Sequence, residues 1–134
     1  MNKPDFGLCH SDLVLSNIRM TVDGKITLFD FCNTTRMWRT YELAVIYWSL
    51  GKRYIDQHNR LWKSFLQGYK STRQLPKGFS RSLPTMLMLR QLGYMGGNCA
   101  TLPLRLGTEP FESGFIETEM RGLERLVNES GIKT

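Results

Sequence analysis

Cysteine is scarce in this 134-residue chain. The three residues, Cys9, Cys32 and Cys99, are odd in number, far apart and never in a C-x-x-C pair. That argues against a disulfide framework and a zinc ribbon, and reduced thiols fit best. Long apolar runs are lacking too, so no segment reads as a membrane span. The N-terminal stretch "MNKPDFGLCH" has no apolar h-region. The expectation is therefore no signal peptide and a cytoplasmic location. Runs of like charge are missing as well: the net charge of +6 is spread over singles and pairs such as Lys52-Arg53. Scattered charge reads as a solvated basic surface, so little speaks for a nucleic-acid partner, although an anionic nucleotide would suit it. There is no G-x-x-x-x-G-K-[ST], because Gly51-Lys52 runs into Arg53 without the upstream glycine. Internal repeats and low-complexity tracts are absent. The length suits one domain with one core.

What is present has an order. Residues 17–30 read as a β-hairpin. Ile18, Met20 and Val22 alternate with Arg19 and Thr21, and Ile26 and Leu28 with Lys25 and Thr27. Asp23-Gly24 between them predicts a type I′ turn with both central residues at positive φ. "WRTYELAVIYWSL", residues 38–50, predicts a helix apolar nearly all round, ended by Gly51 and placed mid-core. Glu42 is its one acid, and a buried carboxylate needs a partner. Residues 55–70 predict an amphipathic helix with Leu61, Trp62, Phe65, Leu66 and Tyr69 inward. His58, on that helix, reads as a surface residue. A third helix is expected over 82–98, with Pro84 in its first turn and Gly96-Gly97 loosening its end. A loop, "ATLPLRLGTEPFES", should follow. The last helix is expected over 113–128, with Ile116, Met120, Leu123 and Val127 on one face. The fold class is thus α+β and mostly helical, with one hairpin and about four helices.

The chemistry-bearing residues precede the helices. In "GLCHSDLVLSNI", His10, Asp12 and Asn17 stand at fixed intervals, and Asp30 ends the returning strand in "KITLFDFCN". The hairpin can bring Asp30 back near Asn17. Oxygen ligands of that kind suit Mg²⁺, which takes few protein ligands and completes its shell with phosphate and water. Asp12 would then orient a hydroxyl and accept its proton. A base, two metal ligands and a bound polyphosphate are what phosphoryl transfer needs. Each residue also has a plain alternative: His10 as a core histidine, Asp12 and Asp30 as turn or cap residues, Asn17 as a turn closer.

His10-Ser11-Asp12, four residues and Asn17 keep the spacing of the protein-kinase H-R-D-x-x-x-x-N loop, and "LFDF" stands where its Asp-Phe-Gly would stand. The stretch also resembles the aminoglycoside phosphotransferase and choline/homoserine kinase-like family. Its members carry H-G-D-L-H-x-x-N, a short hairpin, an apolar strand ending in Asp and a D-L-A helix. Here Ser11 replaces the usual Gly, Val14 a common second His, Glu42 the helix Asp that helps hold the loop, and Cys32-Asn33 a more usual acidic or Gly-containing stretch. The resemblance runs through about Val127 and implies the C-terminal part of a kinase-like large lobe, a single partial domain over 1–134. It implies an ATP-dependent phosphotransferase acting on a small-molecule hydroxyl, with Asp12 as base, His10 as loop support, and Asn17 and Asp30 on Mg²⁺. The rival reading is a truncated, non-catalytic remnant or interaction module. The chain has neither G-x-G-x-x-G nor V-A-I-K, so these residues are not expected to include the small lobe that would hold ATP. Without it, the chain alone should be inactive. The hairpin and the 38–50 helix should stay uncovered and favour self-association.

Overall fold

The computed structural model describes residues 5–106 and 114–129; within these, the side chains of 102–103, 105–106, 126–127 and 129 are not described. They cluster into two units, Met1–Leu83 and Pro84–Thr134. The first holds all the strands. β1 (Phe6–Cys9) pairs antiparallel with β4 (Thr35–Trp38), and β2 (Ile18–Met20) with β3 (Ile26–Leu28). Two helices of this unit follow, α1 (Arg39–Arg53) and α2 (His58–Thr72). α3 (Phe79–Leu106) begins in the first unit and continues into the second, where α4 (Phe115–Glu129) lies. The α+β, mostly helical character is as expected.

The β1–β4 ribbon was not legible as strand. Its four-residue halves join partners about 30 positions apart, with Phe6 opposite Trp38 and Cys9 opposite Thr35, so tertiary pairing creates it. Phe6 and Trp38 meet edge to face at 5.6 Å. The Arg39 guanidinium lies over Gly7, where a Cβ would make it shift. Asp5 ties this corner together. Its carbonyl accepts from the Arg39 N–H at 2.9 Å, and its carboxylate lies 2.9 Å from Arg73 and 3.6 Å from Arg39.

The β2–β3 hairpin forms where expected, but its turn is not type I′. Only Gly24 has positive φ (84°); Asp23 does not. The Gly24 N–H donates to the Thr21 carbonyl at 2.9 Å, and the Thr21 N–H to the Lys25 carbonyl at 3.0 Å. Three loop residues, the last a left-handed glycine, let an ordinary turn match the strands' twist.

α1 is the core of the first unit: Leu43, Ala44, Val45, Ile46, Trp48 and Leu50 are buried. The expectation that this helix would lie uncovered is therefore wrong, since this chain buries it itself. Nor does Gly51 end it; the helix runs to Arg53, where the Tyr54 N–H closes on Leu50. His58 is not a free surface residue. Its Nε2 lies 3.1 Å from the Tyr47 carbonyl and its ring edges onto Tyr47 at 4.2 Å, joining the cluster of Trp62, Phe65 and Phe79.

In the second unit α3 runs through Gly96-Gly97 to Leu106, so much of the expected loop is helix and the remainder, 107–113, lies outside the described residues. Glycine lowers helix propensity by only about 1 kcal/mol, too little to stop a long helix. Pro84 is consequently the sixth residue of α3, beyond its first turn. On α4 Glu119 is buried, while Met120 is exposed and the Val127 side chain lies outside the described residues. Glu119 accepts from buried Gln91 on α3 at 2.6 Å.

Ile46→Ala should cost about 2–5 kcal/mol of unfolding free energy in urea. Met20→Ala, on the exposed ribbon, should stay within about 0.5 kcal/mol. Equal losses at the two positions would contradict this placement of the core.

Candidate functional site

The site is a loop stapled beneath α1. Glu42, on its first turn, reaches back to the loop's start: Oε1 accepts from the His10 N–H at 3.1 Å and Oε2 from the Ser11 N–H at 2.9 Å. Seven residues along α1, Ser49 Oγ accepts from the Leu15 N–H at 3.0 Å. Seven residues are close to two helical turns, so both groups share a face about 10 Å apart. The loop is thereby held at both ends by one rigid element.

Between the staples the polar residues meet. The Asn17 side-chain amide donates to the Asp12 carbonyl at 2.9 Å and to its carboxylate at 3.3 Å. The His10 ring is buried and bridges. Its Nδ1 faces the Asp12 N–H at 3.4 Å, and Nε2 lies 3.0 Å from the Phe29 carbonyl. Those contacts select the tautomer with the proton on Nε2. The Phe29 N–H in turn donates to the Asn17 carbonyl at 3.2 Å. Phe29 is thus clamped by His10 and Asn17, and Asp30 follows it at φ 65°, a left-handed turn that aspartate tolerates. His10 and Asn17 therefore each contact Asp12 and are joined to one another through the Phe29 backbone. Asp30 is tied to them through the backbone of Phe29, at the exposed end of the hairpin.

Ser11 occupies the left-handed region too, at φ 65°, and its hydroxyl is buried with no hydrogen-bond partner. A glycine would meet neither cost. Glu42 had been marked in the sequence as an acid needing a partner, and the two loop amides are that partner. Ser49 was missed; its signal was the seven-residue interval from Glu42 on one helix face.

Asn17 spends its NH₂ on Asp12, which leaves Oδ1 to accept. Asp30 is exposed, and its Oδ1 accepts from the Cys32 thiol at 2.9 Å. That hydrogen bond, with the nearby carboxylate charges of Asp30 and Asp12, holds the Cys32 thiol above its ordinary pKa. Burial does the same for Cys9. Oxygens of this kind fit a hard ion such as Mg²⁺. Among the described residues no three of His, Cys, Asp or Glu gather into a metal cage. A cation here would draw the rest of its shell from phosphate and water.

A loop stapled under a helix, followed by a hairpin returning to an aspartate, is the arrangement of a kinase-like phosphotransferase lobe. The model of the phosphotransferase enzyme family, APH, matches residues 2–75, and the chain belongs to this aminoglycoside phosphotransferase family. Over 114 residues, 84% of the chain, it is 33% identical to an uncharacterized protein of Deinococcus radiodurans, covering 33% of that protein. Its fold is similar to that of amicoumacin kinase hAmiN, solved in complex with AMP-PNP, Ca²⁺ and Ami. The TM-score is 0.65 at 22% identity, over 97% of this chain and 38% of that one. The chain thus spans about a third of the length of the curated relative it matches.

Two substitutions check the stapled loop. Glu42→Ala leaves two amides without their charged acceptor and should cost about 3 kcal/mol or more in urea unfolding. Ser11→Gly removes a left-handed serine and an orphaned hydroxyl, and should stabilise by about 1 kcal/mol. A neutral Glu42→Ala or a destabilising Ser11→Gly would contradict the geometry.

Proposed function

We propose that this chain is the catalytic-loop portion of an ATP-dependent kinase that phosphorylates a small-molecule hydroxyl. The observation that carries the reading is the contact of Asn17 with Asp12 inside a loop fixed by Glu42. Phosphoryl transfer is mostly positioning and electrostatics, so a rigid loop presenting these groups is the main requirement. Asp12 accepts the proton of the attacking hydroxyl as its oxygen bonds to the γ-phosphorus and the bond to the bridging oxygen of the departing ADP breaks. His10 orients the Asp12 backbone through Nδ1. Asn17 Oδ1 and the Asp30 carboxylate would hold Mg²⁺, which when bound offsets the charge of the phosphates. The AMP-PNP and Ca²⁺ in the solved kinase support a nucleotide and a divalent ion for this reading. That kinase's small-molecule ligand supports a small acceptor.

The alternative is a non-catalytic interaction module that keeps the lobe's fold. The two are separated by a chimera in which this chain replaces the matched third of the Deinococcus protein, assayed for ATP consumption with a panel of hydroxyl acceptors. For the kinase, Asp12→Asn should lower kcat about 10²–10⁴-fold with little change in KM. Asn17→Ala and Asp30→Ala should raise the Mg²⁺ concentration needed for half-maximal rate. Asp30 should have the larger effect, because a carboxylate contributes a full charge. Parent-like turnover in Asp12→Asn would remove the base assignment. No turnover in the parent chimera would favour the module. The 134-residue chain alone should bind Mg²⁺–ATP weakly and show no turnover, and micromolar ATP affinity by calorimetry would contradict that.

A further inference from the structure

Asp30 is an exposed carboxylate at the end of the hairpin, and an exposed side chain is free to sample several rotamers. Here one of its oxygens is taken. The Cys32 thiol donates to Asp30 Oδ1 at 2.9 Å. The local chain makes this contact. Asp30 turns at φ 65°, and Phe31–Asn33 form one 3₁₀ turn closed by the Thr34 N–H on the Phe31 carbonyl at 3.1 Å. That turn lays the side chain two residues on against the carboxylate. Cys9, by contrast, reaches the Met37 carbonyl only at 3.7 Å.

The contact makes the two oxygens of Asp30 unequal. Oδ1 spends a lone pair on the thiol and has the sulfur beside it, while Oδ2 keeps its lone pairs for another partner. A cation that meets this carboxylate therefore meets one good oxygen, and chelation by both is disfavoured. That difference separates hard ions. Mg²⁺ demands near-octahedral geometry and keeps much of its water, so one oxygen from a carboxylate suits it. Ca²⁺ takes about six to eight oxygens in a looser shell and gains from a carboxylate that offers both. We propose that Cys32 sets the ion preference of this site: its thiol holds Asp30 to coordination through one oxygen and so favours Mg²⁺ over Ca²⁺. Cys32 is a positioning residue, which acts through Asp30 without touching the ion. The proposal rests on the reading that Asn17 and Asp30 hold a divalent cation, and adds the side chain that selects between ions.

Competition against Mn²⁺ tests it without any need for turnover. The ¹⁵N-labelled chain is loaded with Mn²⁺ and AMP-PNP. Ca²⁺ or Mg²⁺ is then added until half of the paramagnetic broadening at the backbone amides around Asp30 is reversed. The ratio of the Ca²⁺ to the Mg²⁺ concentration needed reads the selectivity, and chelation by the nucleotide is common to all variants. Cys32→Ala frees Oδ1, so the ratio should fall by about threefold or more. Cys32→Ser keeps an O–H donor and should hold the ratio within about twofold of the parent. An unchanged ratio in Cys32→Ala, or an equal fall in Cys32→Ser, would overturn the proposal and leave the cation site standing. Amides around Asp30 that do not broaden in the parent would remove the cation site itself, and the proposal with it.

Discussion

One carboxylate organises the rest. Glu42 lies on a helix whose neighbouring residues Leu43, Ala44, Val45 and Ile46 are buried, and it accepts hydrogen bonds from two successive backbone amides of the loop. Hydrogen bonds to a charged acceptor contribute more than neutral ones, about 1.5–3 kcal/mol each. The loop gains a fixed origin in the best-packed element of its unit. From that origin the chain reaches Ser49 through the Leu15 N–H, and two residues further on the Asn17 amide turns back to Asp12.

The same contact explains a local cost. To give both the His10 and Ser11 amides to one carboxylate, the chain turns sharply at Ser11, which takes a left-handed backbone. Serine at such a point costs energy and buries a hydroxyl without a partner. Glu42 and Ser49 together offset that cost. Strain held next to functional groups is common where the surroundings over-determine the backbone. Asp30 repeats the device at the end of the hairpin, again at φ 65°.

The polar residues were legible because a loop with fixed spacing and a hairpin with period-two alternation are local patterns. The buried helix was legible because residues 43–50 are apolar nearly all round. What failed was non-local or quantitative. The β1–β4 ribbon forms only when Phe6 finds Trp38. The turn type depended on whether one or two residues take positive φ, a choice that Asp23-Gly24 leaves open. Gly51 and Gly96-Gly97 were read as stops, yet packing and helix length outweigh a propensity loss of about 1 kcal/mol per glycine. The Gln91–Glu119 pair went unseen because neither residue stands out on an amphipathic helix until the partner helix is placed beside it.

We propose that Asn17 and Asp30 face one hard cation beside Asp12. Paramagnetic broadening by Mn²⁺ tests it in the ¹⁵N-labelled chain with a nucleotide present, without any need for turnover. The account expects the Asn17 side-chain amide and the backbone amides around Asp30 to broaden first, at sub-stoichiometric metal, and Asp30→Asn to abolish the effect. Broadening centred on Asp23, Asp56 or Glu124, with the loop signals untouched, would contradict it.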